Sequence, residues 1–549
     1  MGIDVERFKD RPVIGIANFW SELNNCNMNL RDVAQAVKRG VIAAGALPLE
    51  FPTISLGEEF MKPTAMLYRN LMAMDVEEML RSHPVDAVVL LCNCDKTMPA
   101  QLMGAASANL PAIQVNGGPK PAGNWRGMEV GSGTDVWKYW DEYRTGKITE
   151  RDWKELEGRI SCGVGACNVM GTASTMAGLS EALGMMLPGS SSIGATDARR
   201  LATAEASGRR IVEMAEQNLR PSDIMTWEAF DNAIRVCMAV GGSTNAIVHL
   251  VAIAGRLGID LKLERFDELS RTTPYLADVK PSGKHLMAEF HAAGGIPAVM
   301  KEIEPLLYRH AMTVTGKTVG ENLAIVENHN HEVVRSFSEP LASEGAIAVL
   351  RGNLAPNGAI IKTSAASAHL MTHTGEAVVF ENYQDMLDRI EREDLEVTAT
   401  SVLVLKHCGP KSVPGIPEWG AMPVPAKLQK AGIKDLVRIS DARMSGTSYG
   451  TVILHVCPEA ASGGTLAIIR AGDQIRVDVP HRLLDLLVSD AEIQRRLAAA
   501  QPPTSRHLRG YPRLYIDHVL QADQGCDFDF LRPKNEQELR FVSPLVGRS

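Results

Sequence analysis

What this sequence lacks narrows its function before any motif is read. No apolar stretch reaches the ~18 residues that a membrane-spanning helix needs. The opening Met1–Asp10 is charged and has no apolar core, so no secretory leader is expected. Long basic runs are absent and the net charge is -8, so no nucleic-acid partner is expected. There are nine cysteines but no CxxC pair, which argues against a zinc ribbon, a thioredoxin-type site or a ferredoxin-type loop. An odd cysteine count scattered over a long chain is not a disulfide framework, and it points to a reducing cytoplasm. Internal repeats and low-complexity segments are missing too.

What is present is ordinary for a large globular enzyme. The 549 residues are 45% hydrophobic and 22% charged, which excludes a largely disordered chain. That length is too great for one core, so at least two domains are expected.

The chain is organised around Asp86–Ser107. Ala87–Leu91 is a short, continuously apolar run that reads as a strand buried on both faces. The polar turn Cys92–Thr97 follows, and then Pro99 opens a helix-compatible segment. Such a turn lies at the carboxyl edge of a sheet, where open α/β folds bind ligands. Cys94, Asp95 and Lys96 offer a thiolate, a carboxylate and an amine side by side. Soft sulfur suits iron or zinc and hard oxygen suits magnesium, so the turn suggests two adjacent metals. By itself, a Cys-x-Cys beside a buried strand is more often a pair of small core residues. Its meaning depends on its company.

Further strand–loop–helix units surround it. Pro12–Ala17 reads as a first buried strand, ending in the polar loop Asn18–Asn27; Leu30–Ala44 is a helix stopped by Gly45. Leu47–Phe51 is a second strand, Thr64–Arg81 a strong helix, and Ala112–Val115 a further strand. This pattern predicts a parallel α/β sheet with helices on both faces. Trp125–Leu156, charged and aromatic, reads as a peripheral insertion. Asn168–Leu187 reads as a buried helix whose methionines pack in a core, because it is apolar nearly all round. Gly241–Asn245 is a turn before an apolar helix; it suits either an anion or simple capping. From about Gly345 the texture changes to short strand-like runs: Ala346–Arg351, Ala359–Lys362, Ala377–Phe380, Ser401–Lys406, Val452–His455, Thr465–Arg470 and Gln474–Val479. We therefore expect an α/β domain over residues 1–344 and a β-rich, barrel-like domain over 345–549. Gln501–Arg506 reads as a surface linker before a C-terminal arm, Tyr511–Pro533, and the β-rich domain with that arm is expected to cover the site.

Three polar loops after candidate strands each carry one cysteine: Asn25-Cys26-Asn27, Asn93-Cys94-Asp95 and Ala166-Cys167-Asn168. With Cys94–Thr97, Cys167–Ser174, Gly241–Asn245, Leu350–Pro356, Ser440–Thr447 and Ala522–Phe530, nearly the whole chain resembles the dihydroxyacid dehydratase and 6-phosphogluconate dehydratase family. It is most similar to the sugar-acid (aldonate) branch. The resemblance implies that Cys26, Cys94 and Cys167 hold an iron–sulfur cluster, 2Fe-2S with 4Fe-4S as the alternative. It implies that Glu58, Asp95 and Glu418 bind Mg²⁺, with Glu59 the alternative to Glu58. Lys96 matches a lysine that is carbamylated in such enzymes, and Ser445 matches the proton-abstracting base. The partner it implies is a small sugar acid, and the assembly a homodimer or homotetramer. Asn29, Cys92, Asn93 and Ala442 depart from the family's usual residues. Asn29 is expected to fall in the active site, and Cys92 to be a bystander at the end of a buried strand.

The chemistry suits those roles. Losing the C2 proton of a 2,3-dihydroxy acid builds negative charge that a hard cation stabilises. Hydroxide at C3 leaves poorly without a Lewis acid, which a cluster iron with an open position provides. The alternatives are a dihydroxyacid dehydratase of branched-chain amino acid synthesis and a non-catalytic iron–sulfur relative. Asp95, Lys96, Glu418 and Ser445 speak against the second, since a cluster carrier needs none of them.

Overall fold

The computed structural model describes residues 2–501, 503 and 506–534. Four parallel strands form the first sheet: β1 (Val13–Asn18), β2 (Leu47–Pro52), β3 (Ala87–Cys92) and β4 (Ala112–Asn116), in the order β2-β1-β3-β4. Every residue of β3 and of its edge neighbour β4 is buried, so both faces of this side of the sheet are covered, as a parallel sheet requires. The cover comes from helices α1 (Leu30–Ala43), α3 (Thr97–Ala108) and α7 (Ala198–Gln217), with α2 (Arg69–Ser82) and α6 (Thr172–Ala182) packed on α3. Val33, Val37 and Val41, one helical turn apart, give α1 its buried face. It packs so closely on α7 that a Cβ at Gly40 would lie 2.0 Å from the Glu205 carbonyl oxygen, and one at Gly208 2.2 Å from that of Val37. Glycine at both positions is what lets the two backbones touch. A further buried layer includes α8 (Trp227–Ala239) and α9 (Asn245–Arg256).

Register fixes where this half presents chemistry. Asn18 pairs with Leu91, and Cys92 with Asn116, so β1, β3 and β4 end level with one another. The polar turns that follow them emerge side by side.

The second sheet has eight strands: β7 (Ala348–Leu350), β8 (Gly358–Ile361), β9 (Thr372–Phe380), β10 (Val402–Leu405), β11 (Val437–Ser440), β12 (Val452–Cys457), β13 (Gln474–Asp478) and β14 (Leu483–Leu486). Their order is β14-β13-β9-β10-β11-β12-β8-β7, and β9 through β12 run parallel. The two edges meet where the Arg351 amide donates to Arg482 O and the Leu484 amide to Arg351 O, both at 2.8 Å. The sheet is thus a nearly closed barrel around Ile361, Val404, Ile439, Ile453, Val477 and Leu484. The segments after β10 and β11 carry Glu418 and Ser445.

Several expectations change. Thr465–Ile468 is a turn of 3-10 helix, not a strand; its apolar run was too short to distinguish the two by pattern. The sequence reading missed β11 because the buried Arg438 interrupts it; that guanidinium is satisfied by Asp435 and by the carbonyls of Ala421 and Met422. The region read as a peripheral insertion folds into a hairpin, β5 (Gly123–Trp125) and β6 (Met128–Val130), and helices α4 (Thr134–Arg144) and α5 (Glu150–Ile160). It forms one wall of a large cavity between the two sheets rather than a peripheral decoration. The linker reading of Gln501–Arg506 lies partly outside the described residues.

The β-rich half covers that cavity, as expected, but the C-terminal arm does not, since none of its residues line it. Instead α10 (Gly510–His518) and the turn after it pack on α2 and α9. Tyr511 stacks on Tyr68 at 5.4 Å, and Arg69 donates to the carbonyls of Gly525 and Cys526 at 2.8 and 2.9 Å.

Candidate active site

A cavity of about 1090 Å³ opens between the two sheets. It is lined by Cys26, Glu58, Glu59, Cys94, Asp95, Lys120, Cys167, Glu418 and Ser445, among others. Residues from Cys26 to Gly450 therefore meet on one surface.

At one end stand the three cysteines. Cys26 lies in a 3-10 turn after β1, Cys94 between β3 and α3, and Cys167 in the loop before α6. Cys26 and Cys94 are buried, and a hydrogen bond between them, reinforced by burial, holds the Cys26 thiol well above its ordinary value. Burial pushes Cys167 up to about 12. Asn93 knits these loops together. Its amide donates to the carbonyls of Cys26 and Gly118, each at 2.8 Å, and its oxygen accepts from the Gly118 amide at 2.9 Å. Asn29, expected in the site, does not line the cavity; its amide is spent on the Gly117 carbonyl at 2.8 Å. Cys92 points into the hydrophobic core against Met98.

Alongside is a carboxylate–lysine centre. The buried Lys96 Nζ lies 3.0 Å from Glu418, 3.2 Å from Glu58 and 3.4 Å from Asp95. Burial would lower the ammonium, but Glu418 and Glu58 outweigh it and hold it above its ordinary value. Burial raises Asp95 to about 6, whereas Lys96 and Arg443 overcome burial at Glu418 and hold it at about 2. The consecutive glutamates divide between the two ends: Glu58 faces Lys96, and Glu59 pairs with Lys120 at 3.0 Å.

Sequence reasoning gave no role to Arg443 and Thr64, and read Asn245 only as part of an anion-binding or capping turn. Arg443, fully buried, donates to Glu418 at 2.8 Å, to Thr64 Oγ1 at 3.0 Å and to the Ile416 carbonyl at 2.7 Å. Thr64 in turn donates to Glu58 at 2.7 Å. Asn245 donates to Glu418 at 3.0 Å and to the Met444 carbonyl at 3.2 Å. The Gly241–Asn245 turn thus positions other groups; it does not line the cavity, and Thr244 makes no side-chain cap. The signal that could have found Arg443 was its place inside a polar motif, where an arginine needs an anionic partner.

Ser445 Oγ shares a hydrogen bond with Thr447 Oγ1 at 2.9 Å and faces the same cavity. The α4 wall reaches this loop: Thr134 donates to the Thr447 carbonyl at 3.0 Å and Trp137 Nε1 to Thr447 Oγ1 at 3.1 Å.

As the side chains stand, no three of His, Cys, Asp or Glu among the described residues form a group that could hold a metal ion; the Lys96 ammonium sits between the carboxylates. The donor chemistry still sorts cleanly. Three sulfurs gather at one end and three carboxylates at the other, matching soft and hard metals respectively.

Two family models, described as the N-terminal and C-terminal parts of dihydroxy-acid/6-phosphogluconate dehydratase, match residues 11–322 and 332–526. The chain belongs to this dehydratase family. Its relatives include the L-arabinonate dehydratase of Rhizobium leguminosarum bv. trifolii, 51% identical over 533 residues that cover 97% of this chain and 92% of that one. The 6-deoxy-6-sulfo-D-gluconate dehydratase of Pseudomonas putida is 48% identical over 535 residues, 97% and 92% of the two chains. The dihydroxy-acid dehydratase of Ignicoccus hospitalis stands further off, at 42% over 529 residues and 95% of each chain. Membership makes this protein a dehydratase, a hydro-lyase, on the sugar-acid side of its family. Among the described residues no helix is long and apolar enough to cross a membrane.

Proposed function

We propose that the protein removes water from an aldonate, a pentonate or hexonate, to give the 2-keto-3-deoxy acid. The observation that carries this reading is the opening of the three-cysteine end, the carboxylate–lysine centre and Ser445 into one cavity. Cys26, Cys94 and Cys167 would hold an iron–sulfur cluster, and Glu58, Asp95, Glu418 and a carbamylated Lys96 a Mg²⁺ ion. Together those groups would supply Lewis acidity at the C3 hydroxyl and at the substrate's carboxylate and C2 oxygen.

The chain's own residues do the rest. Ser445 Oγ takes the proton from C2, with Thr447 orienting it. The Thr64–Arg443 bridge holds Glu58 and Glu418 at fixed positions, so the carboxylates need no reorganisation as charge develops. Trp137 and Trp140 on α4, with Tyr383 and Trp419 from the barrel side, line the cavity with aromatic rings. The elimination leaves an enol, which tautomerises to the keto acid.

A branched-chain dihydroxy acid is the second reading. What favours an aldonate is that Asp141, Lys434 and Tyr449 also line the cavity and offer partners for hydroxyls that an alkyl acid does not carry. We take residues 1–344 and 345–549 as two folding units, β7 opening the second at Ala348. We also take the protein to be cytoplasmic, which its nine free cysteines support, and a homodimer or homotetramer. Leu23 and Phe60, exposed at 79% and 73%, support an assembly that covers them, and sedimentation as a monomer would remove that part. To test the activity, anaerobically purified, iron-loaded protein is incubated with a panel of pentonates and hexonates. A 2-keto-3-deoxy acid should form from at least one, and failure across the panel would reject the proposal.

A further inference from the structure

Lys120 has no part in the chemistry above, yet its placement demands an anion. Long lysine side chains usually lie along apolar surface and leave the ammonium in water. Here the side chain is only 1% exposed, although its carboxylate partner Glu59 is 38% exposed. The ammonium is drawn inward, toward the cavity it lines with the three cysteines. It donates to Glu59 Oε1 and Ser161 Oγ, each at 3.0 Å. An ammonium has three N–H donors, and among the described residues these two bonds leave one for the cavity.

The backbone that carries Lys120 also sets the cysteines. The Lys120 amide donates to the carbonyl of Ala166, beside Cys167, at 2.8 Å, and the Ala166 amide returns a bond to Gly118 at 3.0 Å. Gly118 is clasped by Asn93, whose amide also holds the Cys26 carbonyl. One hydrogen-bonded ladder therefore positions the ammonium and all three cysteine loops.

We propose that Lys120 is a further residue of the reaction, supplying the positive charge at the cysteine end and donating its free N–H to the oxygen that leaves C3. Glu59 and Ser161 are positioning residues that aim it. In this step the C2 proton passes to Ser445, the C3–O bond breaks with its electron pair staying on oxygen, and a C2=C3 bond forms. Lys120 keeps its proton and stabilises the departing charge. The proton from C2 and the hydroxide from C3 make up the water released.

The leaving-group half of this inference rests on the aldonate reading; the charge half does not. Two measurements on iron-loaded protein separate them. The first is the cluster's reduction midpoint, because nearby charge and hydrogen bonds set such potentials. Lys120→Met should lower it, Lys120→Arg should leave it near wild type, and Glu59→Gln, which keeps the cation but removes its counter-charge, should raise it. Midpoints unchanged in both Lys120→Met and Glu59→Gln would overturn the assignment. Should Lys120→Met fail to fold or to bind iron, Glu59→Gln decides alone. The second is turnover of whichever aldonate the wild type accepts. Lys120→Met should lose about 10²–10³-fold in kcat with KM little changed, as removal of one oxyanion donor does. Normal kcat in that variant would refute the leaving-group role. If the wild type turns over no aldonate, the aldonate reading and the leaving-group half fall together, while the midpoints still decide the charge.

Discussion

Replacing Asp527 with Asn should release the C-terminal arm from the body of the protein. Asp527 and Arg256 are both fully buried, joined by hydrogen bonds of 2.6 and 3.0 Å. Burial opposes the Asp527 carboxylate, but Arg256 holds it below the ordinary range. The Asn variant keeps the size of the side chain and removes its charge, leaving a guanidinium whose remaining carboxylate contact is Glu77 at 3.3 Å. Breaking a buried pair from one side costs about 3–5 kcal/mol, because the other charge stays desolvated. Glu77 and the Ser107 hydroxyl at 2.9 Å retain part of the guanidinium's partners, so the lower end applies. About 3 kcal/mol at 1.4 kcal/mol per decade is a population change on the order of 10²-fold in the arm's open state. Native-state hydrogen exchange reads this directly: the amides of α10 should lose about two decades of protection, while those of β3 lose far less. Turnover should be unaffected, since no arm residue lines the cavity. A loss of protection under tenfold in α10 would refute the reasoning that this pair anchors the arm.

Other outcomes follow from the same geometry. Ser445→Ala should lose at least ~10²-fold in kcat, keep the cluster's absorption and substrate affinity, and fail to exchange the C2 hydrogen in deuterated water; near-normal turnover would move the base elsewhere. Serine at Cys26, Cys94 or Cys167 should bleach iron-loaded protein. The same change at the core residue Cys92 should not, and a reversed pattern at Cys92 and Cys94 would contradict the ligand assignment. Burial, with Glu459 nearby, raises the Asp441 carboxyl to about 7, far above its unfolded value. The native state thus holds a proton that the unfolded chain releases. That contribution is fully present below about pH 4 and is lost as pH rises through 7. Denaturation curves of wild type and Asp441→Asn should therefore differ in pH slope between about 4 and 7, the variant being flatter, and parallel slopes would contradict the burial argument.

How much of this was readable in the sequence depended on whether the signal was local. The β3 strand, its polar turn and the helix after it are contiguous, so apolar run, turn and Pro99 announced them together. The short runs of the barrel were visible for the same reason, and Thr465–Ile468 misled because four apolar or small residues suit either a strand or a turn of helix. Arg443 is different. Its partners Thr64 and Glu418 lie on separate halves of the chain, and nothing near it in sequence says that it bridges them. The pairing of Glu59 with Lys120 is equally long-range, and only folding separates Glu59 from its neighbour Glu58. The α4 wall was misjudged because its charged, aromatic composition suggests a surface; its Trp137 instead hydrogen-bonds the Ser445 loop at the cavity wall. Asn29 and Asn93, departures from the family's usual residues, turn out to be spent on backbone carbonyls that hold the loops.

The central claim is that two unlike centres in one cavity act on one molecule. It is tested most directly by reconstituting the metal-free protein anaerobically with iron and sulfide alone, with Mg²⁺ alone, or with both, and following an aldonate by NMR. A 2-keto-3-deoxy acid should appear at full rate only when both are supplied; equal turnover with either one alone would contradict the claim.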